Sequence, residues 1–146
     1  MNETILRFGY PDTLVKEYDH WVVLLRPPQV TLGSLILACK EDAQRLSDVS
    51  VEAYTELKAA TVGIETALSL AFQYDKINYL ALMMVDKEVH FHVIPRYGRA
   101  IDMFGHTFLD AGWPAVPQLG ATADISDAQF NDILEKVRGC MPRAIG

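Results

Sequence analysis

The segment Glu88-Val89-His90-Phe91-His92-Val93-Ile94-Pro95-Arg96 places two imidazoles at i and i+2, with a carboxylate two residues earlier. Side chains on a strand alternate between faces, so Val89, Phe91 and Val93 share a core face and Glu88, His90 and His92 share the other. Neighbours on one face lie about 6.6 Å apart. Neutral imidazole is a nucleophile near pH 7 because its unperturbed pKa is about 6.5. It can attack phosphorus to give a phosphoramidate that water then cleaves. A second imidazole on the same face can orient or protonate a leaving group. Two other uses compete. The pair can be structural, or it can bind a metal with Glu88 as third ligand. Three successive same-face residues span about 13 Å, which is too far for one ion unless the strand bends sharply. The expectation is a site without metal and without cofactor.

The elements that must hold this segment follow from hydrophobic period. Residues 20–25 are rich in Val and Leu and are stopped by Pro27-Pro28, so they read as a strand. Residues 33–39 form a second apolar run, and the short connection predicts an antiparallel pair. Residues 50–72 read as the longest helix, with Ser50 as N-cap and Leu57, Ile64, Leu68 and Phe72 on its apolar face beside Ala60 and Ala67. Gly63 inside it suggests close packing on the sheet. Residues 77–84 read as a buried strand, 85–88 as a turn and 89–97 as the histidine strand. Residues 98–120 hold Gly105, Gly112, Pro114 and Pro117 and read as an irregular excursion. Ser126 and Gln129 form a capping-box pattern that opens a last helix. Phe130, Ile133, Leu134 and Val137 form its apolar face, and Gly139 is its stop. The result is α+β: a mostly antiparallel five-stranded sheet with one long helix and a C-terminal helix, both on one face.

The chain of 146 residues fits one domain, 1–146, large enough to bury a core without disulfides. Its net charge of -6 and lack of a basic patch argue against a long nucleic-acid partner, but a few local donors suffice for a small anion. Cys39 and Cys140 make no disulfide framework and no zinc spacing, which fits a reducing cytoplasm. Residues 1–10 lack the apolar run of a signal peptide, no apolar run spans a membrane, and the tail 141–146 carries no lipidation motif. Arg96, at the end of the histidine strand, is a candidate phosphate contact.

The His-φ-His-φ-φ-Pro-Arg segment resembles the end of the histidine-triad motif, His-φ-His-φ-His-φ-φ. Residues 77–84 resemble the strand that precedes this motif, and 25–34 resemble the family's early hairpin. Gly112-Trp113-Pro114 with Pro117 resembles the tail of a bacterial branch of diadenosine-tetraphosphate-hydrolase-like members. The resemblance implies a homodimeric nucleotide hydrolase or transferase that cleaves a phosphoric anhydride or a phosphoramidate of a small-molecule nucleotide. His90 would attack the α-phosphate and carry the nucleotide covalently, and His92 matches the third histidine. Gln29 and Thr31 fall in the loop that holds the nucleoside in the family. Ser34 stands where the family has the His of a Gly-His pair, and Glu88 stands at the first triad position. Because of Glu88, a nucleotide-binding or regulatory protein with weak or no catalysis is the alternative reading. A carboxylate beside His90 would favour imidazolium and repel an incoming phosphate, or it would orient the ring.

Overall fold

The structure, a computed structural model, describes residues 1–143; positions 144–146, the end of the tail read above for lipidation, lie outside the described residues. Five strands form one antiparallel sheet in the order β1-β2-β3-β5-β4: β1 (Leu14–Glu17), β2 (Trp21–Leu25), β3 (Leu35–Cys39), β4 (Lys76–Leu80) and β5 (His90–Arg96). The long helix α2 (Val51–Phe72) and the C-terminal helix α3 (Asp127–Cys140) pack on one face, as the hydrophobic periods predict.

Local chemistry accounts for the helix ends. Ser50 Oγ accepts from the Ala53 amide, and Gln73 closes α2 in the left-handed region at φ 52°. Ser126 and Gln129 cap α3 reciprocally. This helix runs through Gly139 to Cys140 instead of stopping at the glycine. In α2 a Cβ at position 63 would stand 2.6 Å from the Tyr18 hydroxyl, so Gly63 does mark a close approach, made by the residue following β1.

The opposite face of the sheet is not open. Val22 and Leu24 of β2 and Ile36 and Ala38 of β3 form a second apolar cluster, covered by Ile5, Phe8, Tyr10 and Leu14. The cover is a short N-terminal helix, α1 (Glu3–Arg7), and the segment that leads into β1. Neither α1 nor β1 emerges from the periodicity reading. The unbroken apolar runs of β2 and β3 carry the signal, because a strand wet on one face would alternate.

Two other readings need correction. The predicted buried strand over 77–84 is a half-buried edge strand that ends at Leu80. Leu80 pairs with His92, and the chain leaves the ladder there, so Phe91 and His90 of β5 have no partner on the β4 side. Residues 81–89 are therefore irregular, and Leu82, Met84 and Val85 are exposed. The excursion over 98–120 contains a small two-stranded ribbon, β6 (Ile101–Met103) and β7 (His106–Phe108). Among the described residues no helix is long and apolar enough to cross a membrane.

Candidate active site

Strand alternation places the histidines as expected. His90 pairs with Ala38 and His92 with Ile36, on the face opposite α2, while Phe91 packs toward Trp21 and Val93 enters the helix-covered core. The two imidazoles stand 5.1 Å apart, centroid to centroid, with planes at 70°. Both are buried, His90 at 2% and His92 at 7% exposure. Phe8 is part of that cover; its ring lies 5.6 Å from His90 and 6.0 Å from His92.

Each ring has a fixed hydrogen-bond partner. His90 Nδ1 lies 2.8 Å from the main-chain carbonyl oxygen of Glu88. A carbonyl only accepts, so Nδ1 carries a proton, and in the neutral ring Nε2 is the nitrogen that has the lone pair. Arg26 Nε donates to His92 Nδ1 at 3.3 Å. An arginine only donates, so His92 holds its proton on Nε2. Burial, with Arg26 and His90 adding to it, pulls the His92 pKa down to about 4, and Asp86 opposes the shift. His92 is neutral at pH 7.

Glu88 does not take the place expected of it. It precedes β5 instead of lying in it, and its contact to His90 runs through the backbone. Its amide donates to Thr4 Oγ1, which ties this loop to α1. Arg7 ties it a second time through Asp86 at 3.4 Å.

The remaining expected contacts are turned inward. Gln29 is buried and spends all its polar groups within the β2–β3 hairpin: Nε2 donates to the carbonyls of Arg26 and Ser34, and Oε1 accepts from the Gly33 amide. Thr31 Oγ1 donates to the Pro95 carbonyl, and Ser34 Oγ closes the turn on Thr31. Gly33 sits at φ 86° with the Phe72 ring 2.9 Å from where a Cβ would be, so the hairpin requires glycine there. The side chains of Gln29, Thr31 and Ser34 thus serve as struts of the hairpin. Arg96 is likewise withdrawn as a phosphate contact. It is buried, with Nε and Nη2 on both oxygens of Asp110 (2.7 and 3.1 Å) and Nη1 on Asn78. Ile94 separates it from His92 on the same face.

The residue missed by sequence reasoning is Arg26. It directly follows β2 and is fixed by its own amide on the Ser34 carbonyl and by Nη1 on the Pro28 carbonyl. Its position before Pro27-Pro28, at the mouth of a tight hairpin, was a usable signal. Among the described residues no group of three His, Cys, Asp or Glu is arranged to hold a metal ion.

No family model matches the chain, and no curated protein does. Solved structures do. A histidine triad protein from Sinorhizobium meliloti 1021 is 19% identical, with 97% of this chain and 96% of that one covered at a TM-score of 0.74. One from Marinobacter aquaeolei VT8 is also 19% identical, covering 97% and 94% at 0.73. A hypothetical histidine triad nucleotide-binding protein from Sulfolobus tokodaii strain 7 is 15% identical, covering 94% and 88% at 0.69. At such identities the likeness is one of architecture, and it extends along nearly the whole chain: this protein has the histidine-triad fold.

Proposed function

We propose that the protein is a nucleotidyl hydrolase or transferase that acts at the α-phosphate of a nucleoside phosphate or dinucleoside polyphosphate. The observation that carries this reading is the bond from His90 Nδ1 to the Glu88 carbonyl. It leaves Nε2 as a free nucleophile and keeps a proton acceptor in place for the cation that forms. His90 Nε2 forms a bond to phosphorus, and the bond from phosphorus to the leaving oxygen breaks with its electron pair. The nucleotidyl-imidazolium is stabilised through Nδ1–H on the carbonyl. Water then attacks phosphorus, the P–N bond breaks, and one proton passes to solvent. The fold shared with a histidine triad nucleotide-binding protein supports the substrate class. The Gly112-Trp113-Pro114 segment supports the diadenosine-tetraphosphate-hydrolase-like branch.

In this reading the protein works as a homodimer in the cytoplasm, where Cys39 and Cys140 stay as thiols. A second reading, nucleotide binding with little turnover, is favoured by the cover of Phe8 over both imidazoles. Mass spectrometry after mixing with an adenylate substrate separates the two. A nucleotidyl adduct on His90, and loss of turnover with retained binding in His90→Ala, supports the enzyme. Binding without adduct or turnover supports the second reading, and undiminished turnover in His90→Ala defeats the first.

A further inference from the structure

Arg26 does more than touch His92. For His92 to protonate a leaving group it must first become imidazolium, with a hydrogen on each nitrogen. Its Nδ1 already accepts from Arg26 Nε at 3.3 Å, and arginine has no acceptor to offer in exchange. Protonation would set two donors, both on cations, head to head. Arg26 cannot easily swing away, because Nη1 is held by the Pro28 carbonyl and its own carbonyl by Gln29. The other groups that face the ring do not reverse this. His90 adds to the repulsion, Asp86 opposes it without preventing it, and Phe8 carries no charge. A neutral His92 has its one proton on Nε2, and giving it up would leave an imidazolate. It can donate a hydrogen bond to a phosphoryl oxygen, but it cannot hand over a proton.

We infer that Arg26 fixes the leaving-group class of this site, confining it to groups that depart as stable anions and excluding amines. The inference rests on the hydrolase reading. A phosphate, a polyphosphate or a carboxylate takes the electron pair of the broken bond and needs no proton. An alkylamine leaves only if a proton is delivered to nitrogen as the P–N bond breaks. The site therefore takes nucleoside 5′-phosphoric anhydrides and leaves alkyl phosphoramidates uncut. Arg26 acts as a positioning residue through His92.

The test uses the full chain with two probes, diadenosine tetraphosphate and an adenosine 5′-(N-alkyl)phosphoramidate, in wild type, Arg26→Met and Arg26→Lys. Wild type should prefer the anhydride by about 10²-fold or more in kcat/KM, the range of general acid catalysis that the amine forgoes. Arg26→Met should narrow that preference at least about tenfold. It should do so by gaining phosphoramidate cleavage that rises toward acid pH as His92 becomes protonatable. Nitrogen NMR should show His92 as a single Nε2–H tautomer in wild type and as a mixture in Arg26→Met, with Arg26→Lys in between. Wild type that cleaves both probes at similar rates overturns the inference, and so does an unchanged His92 tautomer in Arg26→Met. Wild type inert to both probes defeats the hydrolase reading and takes the leaving-group inference with it; an active enzyme that fails to discriminate defeats the inference alone.

Discussion

The ring of Phe8, at the C-terminal end of α1, lies tilted at 5.6 Å from His90 and edge-on at 6.0 Å from His92. One aromatic side chain from the N-terminal segment thus covers both imidazoles of β5. Phe8→Ala should expose them. The reaction of His90 and His92 with a histidine-acylating reagent, followed by peptide mass mapping, should speed up severalfold. Stability should fall by roughly 2 kcal/mol, below the ~3–5 kcal/mol of a fully buried Phe, because Phe8 is half-buried. Unchanged acylation would mean that something other than Phe8 limits access.

The neutral state of His92 links stability to pH. Its pKa is about 4 in the folded chain and about 6.5 unfolded, so between those values the unfolded chain binds more protons. Folding free energy is therefore unaffected by this group above pH 6.5 and is lost as pH falls from 6.5 toward 4. At ~1.4 kcal/mol per pH unit the loss amounts to about 3 kcal/mol. Urea unfolding across pH 4–7 should show a shallower acid loss for His92→Gln, which has no proton to take up.

Glu88 reaches His90 through its main-chain carbonyl. Glu88→Gln should accordingly preserve the Nδ1–H tautomer of His90 in nitrogen NMR. A tautomer change in that variant would show that the carboxylate, and not the backbone, sets the ring.

Arg96 and Asp110 form a bidentate pair at 4% and 1% side-chain exposure. Asp110→Ala leaves a buried guanidinium without its counter-charge and should cost about 3–5 kcal/mol in urea unfolding. The double variant Arg96→Met with Asp110→Ala should recover part of that, because no lone charge remains buried.

Met84 and Val85 are 78% and 77% exposed, near Leu82 and beside the edge strand β4. In the homodimer reading this patch is covered by the partner. Sedimentation should then find a dimer for wild type and a shift to monomer for Leu82→Glu combined with Met84→Glu. A wild-type monomer at micromolar concentration would remove the homodimer.

The sequence by itself determined the elements whose signals are local. Alternation along Val89-His90-Phe91-His92 put the imidazoles on one face and Phe91 on the other. The caps at Ser50 and Ser126 and the apolar face of α2 were equally legible, because each depends on residues within a few positions of one another. Tertiary structure decided what surrounds the histidines, because those partners come from far along the chain. Phe8 arrives from α1 and Arg26 from the hairpin, 66 residues before His92. Position in the resemblance made Gln29, Thr31 and Ser34 look like ligand contacts, and a place at the end of the histidine strand did so for Arg96. Their hydrogen bonds run inward, to the hairpin, to Pro95 and to Asp110, since a buried polar group must find a partner in the chain before it can serve a ligand. Composition records that a donor exists, and only the folded chain decides whether it is already spent.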